Sequence, residues 1–144
     1  MLSDPREALQ HLRIADQRWR DALESSDMAP PDPGFPARVL KIADASEQEA
    51  AALRIAEASG LSWRPAPGAR GMRLSYELRP GGNRPGPPEL WENFDQAVQT
   101  LGEAMEGVAI SAVSRAFAQL SEVAREIAVE LEHIYVPVGR RRAG

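Results

Sequence analysis

Glu130 and His133 have the spacing that comes closest to a metal-binding motif in this chain. A glutamate and a histidine three positions apart on a helix can hold one metal together, as in carboxylate-bridged di-iron bundles. Such a site needs two of these motifs and two further carboxylates, but the other histidine, His11, has no partner at that spacing. His133 also falls opposite the apolar face of its predicted helix. The pair is therefore a weak candidate, and we expect neither a metal nor a cofactor.

A ladder of glutamates at steps of four, formed by Glu122, Glu126 and Glu130, is the other pattern that could do chemistry. Two neighbouring carboxylates can act as general acid and base, but a solvated helix face with Arg125 nearby is the commoner cause of such a ladder. The chain contains no cysteine, which excludes disulfides, thiolate metal sites and cysteine nucleophiles. We therefore expect no catalytic residue and no enzyme.

A basic segment between residues 60 and 88 contains five arginines and one glutamate. Together with Trp63 or Tyr76, which could stack on bases, this segment could bind nucleic acid or another anion. The alternative is self-complementarity, because residues 89–134 contain nine acidic and two basic side chains and the net charge of the chain is -4. We favour this alternative. The anion-binding candidates are Arg64, Arg70, Arg73, Arg79 and Arg84.

The N-terminal residues carry the signals of a helix start. Asp4 can cap the first turn, Pro5 suits the first helical position, and Glu7 follows three residues after the cap. These residues predict a helix over 5–25. A proline-rich linker over 25–36 should follow, because proline removes amide donors and holds the chain extended.

A second helical pattern covers residues 36–59, and Gly60 should end it with a left-handed cap. Ser46 interrupts the apolar side of this pattern and could form a new capping box with Glu49. One kinked helix and two short helices both fit the sequence.

The sequence between residues 61 and 79 changes to a period of two. Apolar and polar side chains alternate from Met72 to Arg79, which is typical of a strand with one wet face. Leu61 and Trp63 offer a short antiparallel partner. The segment therefore predicts a small β-hairpin inserted between helices.

The last helical pattern covers residues 89–135, with a phase slip at Gly107 where the helix is either kinked or broken. We favour a continuous or kinked helix of roughly 70 Å, because a single glycine leaves little room for an antiparallel turn. Residues beside its apolar seam, such as Ser114 and Ser121, are small, so the buried face is wider than that of a two-stranded coiled coil. One short chain should not be able to cover this face. We therefore predict an interface, in a homodimer or with another protein, at Ile110, Val113, Phe117, Leu120, Ile127 and Leu131.

Length and composition predict a single mainly α-helical domain over 1–136 and a flexible basic tail over 137–144. No window has the apolar length of a membrane span, and the first ten residues do not resemble a secretory signal. We therefore expect a cytoplasmic protein without membrane contact. The leading functional hypothesis is a non-enzymatic interaction module, meaning an adaptor, scaffold or regulatory subunit. The alternatives are a nucleic-acid-associated regulator and a helical bundle that binds a metal or small molecule.

Overall fold

The computed structural model is an assembly of four helices. It describes residues 4–25, 33–62, 74, 78–79, 84–107 and 109–135. The helices are α1 (Pro5–Ser25), α2 (Phe35–Ala58), α3 (Pro88–Glu106) and α4 (Ile110–Tyr135). α2 and α4 form the central pair, while α1 packs against α2 and α3 packs against α4. The prediction of a mainly helical bundle is confirmed.

Both helix ends that local sequence signals predicted are present. The Asp4 carboxylate accepts a hydrogen bond from the amide of Arg6 at 3.0 Å, so Asp4 caps α1. At the end of α2, Gly60 has a φ of 77°, which glycine adopts without steric cost. The Leu61 amide then donates to the Ala56 carbonyl at 2.9 Å and closes the last turn.

α2 is one helix, which settles the alternative that the sequence left open. Ser46 lies in its middle, and its hydroxyl donates to the carbonyl of Ile42 at 2.7 Å. A hydroxyl bonded to the carbonyl four residues earlier is satisfied within the helix. The predicted capping box of Ser46 and Glu49 is therefore wrong, and both side chains are buried.

The predicted continuous helix over 89–135 is broken into α3 and α4 at residues 107–109. Gly107 has an extended backbone with ψ of -175°, so α3 cannot continue through it. The carbonyl of Ala109 accepts from the amides of Ala112 and Val113 and starts α4. A connection of three residues is thus enough for α3 to pack against α4.

The wide apolar face of α4 is covered by the chain itself. One hydrophobic cluster joins buried residues of all four helices. The hydroxyls of Ser114 and Ser121 donate to the carbonyls of Ala50 and Ala43, at 2.9 and 2.8 Å. These two bonds hold α4 close to the antiparallel α2, and they satisfy both buried hydroxyls. The premise that one chain cannot cover this face is wrong, because α2 lies along its small residues.

Most of the predicted hairpin and the whole predicted tail lie outside the described residues. Of residues 61–79, the structure describes 61, 62, 74, 78 and 79, and none of these five lies in a strand. Leu74 and Leu78 are buried and belong to the same core cluster as the helices. Within the described helices, none combines the length and apolar character that crossing a membrane requires.

Candidate functional site

The weak metal candidates Glu130 and His133 both lie on the exposed side of α4. A metal site needs several ligands that converge on one point. Among the described residues, no three side chains of His, Asp or Glu come together in this way. The structure therefore adds no further ligand to this pair.

Arg84 is the anion-binding candidate whose surroundings are best described. Its guanidinium makes a bidentate ion pair with the Asp95 carboxylate of α3 and donates to the Leu78 carbonyl at 2.9 Å. The same group lies 4.9 Å from the ring centre of Trp91. A buried guanidinium that a carboxylate already holds in a fork is not available to a phosphate. The ion pair of Arg84 with Asp95 is what the self-complementary interpretation predicts for this residue, and the assignment of the whole basic segment stays a prediction.

The remaining arginine candidates do not form a described site. Arg79 is exposed, and its Nε donates to the Leu74 carbonyl at 2.9 Å. Arg64, Arg70 and Arg73 lie outside the described residues. No cluster of arginines open to an anion is seen in the described part of this segment.

Five of the six predicted interface residues are buried within the single chain, and Ile110 is partly buried. They face α2 and α3 through the shared core and do not form an exposed patch. Whether they also affect association stays a prediction. The five buried residues are Val113, Phe117, Leu120, Ile127 and Leu131.

A groove of about 510 Å³ lies between α2 and α4 and is open to solvent. We call it the outer groove. Small side chains of Ala50, Ala118 and Ser121 line it, and Val129 at its edge is 51% exposed. Its charged lining residues are Glu47, Arg54, Glu122, Arg125 and Glu126.

The two ends of the outer groove differ in charge. α2 and α4 are antiparallel, so Arg54 lies towards the start of α4, while Glu122 and Glu126 lie further along that helix. Arg125 is already paired, because its guanidinium binds Asp44 at 3.0 Å and Glu47 at 2.9 Å. The groove therefore has one basic end and one acidic end.

A second unusual feature is a buried acid between α1 and α2. Glu49 lies on the face of α2 that carries Ala45 and Ala52, and its side chain is 1% exposed. Among the described residues, neither carboxyl oxygen of Glu49 has a hydrogen-bond partner of normal geometry. Buried polar groups without partners are rare, because desolvation costs free energy that a hydrogen bond would return.

Asp16 of α1 faces Glu49 across this contact, and the two carboxyl groups form what we call the acid pair. Burial is the largest cause that raises the pKa of Glu49, and the neighbouring Asp16 carboxyl raises it too, as a hydrogen-bond partner and as a negative charge; together these effects bring the pKa to about 10. Arg20 of α1 acts in the opposite direction, but its effect is smaller. Glu49 is therefore protonated and neutral at pH 7 in the folded chain.

Trp19 lies on the same buried face of α1 as the acid pair. Its ring packs edge-on against Phe117 of α4, with 5.1 Å between the ring centres. Within the described residues, the buried indole nitrogen of Trp19 has no acceptor. Among the described residues, the contact of α1 with the central helices thus buries the Glu49 carboxyl and the Trp19 indole nitrogen without hydrogen bonds of normal geometry.

Sequence reasoning missed the acid pair and the outer groove for different reasons. Glu49 falls in step with Ala45, Ala52 and Ala56 on the buried side of α2, so an acid on an apolar stripe was a usable signal. Interpreting Ser46 and Glu49 as a capping box places Glu49 at a helix start, so its position on the buried side of α2 is overlooked. For the groove, the signal is the run of small residues on α4, but the sequence alone does not show that α2 lies beside them.

No protein-family model, curated protein or solved structure matches this chain. The outer groove and the acid pair are therefore the two features from which a function can be inferred. The carboxyl of Glu49 is buried away from solvent, whereas Asp16 is partly exposed. The outer groove can meet a partner.

Proposed function

We propose that this chain is a non-enzymatic interaction module that pairs with a second copy of itself through the outer groove. The observation that carries the proposal is the opposite charge of the two ends of this groove, with Arg54 at one end and Glu122 and Glu126 at the other. Small residues line the middle, which allows a helix to approach closely.

A two-fold axis through the middle of the outer groove makes the surface complementary to itself. Such an axis reverses the direction of the second copy, because the same patch faces itself across it. Arg54 of one copy then faces the end of the groove that carries Glu126 in the other copy. The two-fold axis repeats this ion pair between Arg54 and Glu126, so the dimer contains it twice.

The groove supports a dimer of modest affinity. Its charged rim is exposed, and exposed ion pairs contribute at most about 1 kcal/mol each. Interfaces that are small and polar at the rim form transient complexes. We therefore expect micromolar dissociation constants, with a monomer that is folded by itself.

Sedimentation velocity of the full chain over a concentration series tests this proposal. The wild type should change from monomer to dimer, and Ala118→Arg should shift the midpoint to higher concentration by placing bulk and charge in the groove. Ala58→Arg is the matched control, because Ala58 is exposed on α2 and does not line the groove. Equal loss of dimer in both variants would contradict the proposed surface.

Charge reversal tests the two-fold arrangement itself. Arg54→Glu should weaken the dimer by roughly tenfold, since two cross pairs are replaced by two repulsions. Combining it with Glu126→Arg should restore dimerisation, because the reversed ends match again. A wild type that stays monomeric at every concentration, or a double variant that is weaker than both single variants, would overturn the proposal.

A further inference from the structure

α1 is attached to the rest of the fold differently from the other helices. Its main contact is with α2, where its buried residues meet alanines of that helix. Trp19 reaches past α2 to Phe117 of α4. Outside its buried residues α1 is mainly polar, with Leu9 and Ile14 as exposed apolar side chains. The side chains of Arg18 and Gln48 are hydrogen-bonded across the contact with α2. Docking of α1 therefore depends mainly on its buried residues, which are Ala8, Leu12, Ala15, Trp19, Ala22 and Leu23.

Within the described part of the chain, the charged groups that act on Glu49 come from α1. Asp16 and Arg20 act on its carboxyl from that helix. On α2 itself, the buried neighbours one turn away are alanine, serine and leucine. α4 contacts α2 through the charged side chain of Arg125, but its guanidinium is bound to Asp44 and Glu47. The buried α4 residues nearby, Ser114, Phe117 and Ser121, carry no charge. Docking of α1 thus brings the Asp16 carboxyl against the carboxyl of Glu49, which is buried in the docked state.

We propose that α1 is a detachable helix whose docking onto α2 is controlled by protonation of the acid pair formed by Asp16 and Glu49. With a proton on Glu49, the contact holds one negative charge, balanced in part by Arg20. Without that proton, two negative charges face each other, and the charge on Glu49 is buried. Release of α1 then returns the Glu49 carboxylate to solvent.

The direction of the raised pKa agrees with this geometry. Glu49 titrates at about 10 when α1 is docked and near its ordinary value of 4.5 when the site is open. Between these two values, docking requires uptake of one proton. A rise of one pH unit therefore weakens docking by up to about tenfold, and acidification strengthens it. The released state exposes the face of α2 that α1 covers.

Thiol labelling can follow this release in the full chain, because the natural sequence has no cysteine. Ala22→Cys places a single thiol on the fully buried face of α1, and Ala124→Cys places one at a fully buried position of α4. The labelling rate of each, divided by the rate of the same thiol in urea-unfolded protein at that pH, gives the open fraction. Ala15→Cys is a second reporter on α1 in case Ala22→Cys does not fold.

Between pH 6 and pH 9, the α1 reporter should show an open fraction that rises by up to about tenfold per pH unit, while the α4 reporter should show little change. Adding Glu49→Gln removes the titrating group, so the open fraction of α1 should become independent of pH. Three results would overturn the proposal. They are a constant open fraction of α1, an equal rise in α1 and α4, and an unchanged pH dependence in Glu49→Gln.

Discussion

The two contacts that α2 makes, with α4 and with α1, both bury polar side chains and treat them in opposite ways. In the α2–α4 contact, Ser114 and Ser121 each donate a hydrogen bond to a carbonyl of α2. In the α1–α2 contact, Glu49 and the Trp19 indole are buried without normal partners among the described residues. The hydrogen bonds of the α2–α4 contact fix these two helices in one register. In the α1–α2 contact, by our proposal, docking of α1 depends on protonation of Glu49.

This difference indicates a division of labour within the chain. α2 and α4 form a scaffold whose buried groups are satisfied, and α1 is held on it by Trp19 and a neutral acid. Regions with fewer satisfied contacts open at lower free energy than the core. The outer groove lies on the scaffold, so release of α1 should leave the proposed dimer surface intact.

Phe117→Ala should have the largest effect, because Phe117 is fully buried on the scaffold and also contacts Trp19. Loss of a buried phenylalanine removes about 3–5 kcal/mol of unfolding free energy. Trp19→Ala should lower the free energy of global unfolding by less, because α1 can detach while the scaffold stays folded. Urea denaturation followed by far-ultraviolet circular dichroism measures both. Equal losses would show that α1 is as firmly integrated as α4.

Glu49→Gln should stabilise the chain at pH 7, by up to about 3 kcal/mol. The folded chain holds a proton on Glu49 that the unfolded chain loses above pH 4.5, since burial raises the pKa of this carboxyl to about 10. Stability of the wild type therefore falls as pH rises between these values, and the variant should lack this slope.

Denaturation midpoints at several pH values between 5 and 9 measure the slope. Glu57→Gln is the matched control, because Glu57 is exposed on the same helix. The control should keep the wild-type pH dependence. If Glu49→Gln keeps it too, the acid pair does not control stability.

Ser121→Ala should cost about 1 kcal/mol, the usual contribution of one hydrogen bond. The lost bond is the one to the Ala43 carbonyl, so the effect belongs to the α2–α4 contact. It should be the same at pH 5 and at pH 9, because no titrating group takes part. A pH-dependent cost would show that the two contacts of α2 are coupled.

Arg125→Gln should have the smallest effect, below about 1 kcal/mol. Arg125 is 40% exposed, and its partners Asp44 and Glu47 are more exposed still. Water and salt screen such pairs. The difference in melting temperature between variant and wild type should therefore be small and should disappear at high salt concentration. A difference that persists at high salt would show that the ion pairs of Arg125 are less solvated than their exposure indicates.

Local sequence signals predict where helices begin and end, but they do not predict which helices pack against each other. Asp4 before Pro5, and Gly60 after α2, act on their own turns, so their roles could be predicted from neighbours in sequence. The break at residues 107–109 could not be predicted, because the phase slip at Gly107 fits both a kink and a turn and only packing of α3 on α4 decides between them.

The candidate sites show the same limit. The small residues on α4 correctly predicted a wide buried face, but the sequence does not say which helix covers it, and α2 of the same chain does. For Arg84, the sequence allows both an external anion and an acidic helix as partner, and its ion pair with Asp95 depends on a fold contact that the sequence does not show. Glu49 could have been found from its place on an apolar stripe, but the effect of Asp16 depends on a contact between helices.

Residue-resolved hydrogen exchange of the backbone amides at neutral pH tests the division between scaffold and detachable helix most directly. We predict that amides in the middle of α1 exchange through an opening that requires at least about 2 kcal/mol less free energy than the opening of α2 and α4. Amides of α1 and α4 that exchange with the same opening free energy would contradict the account, because the four helices would then unfold as one unit.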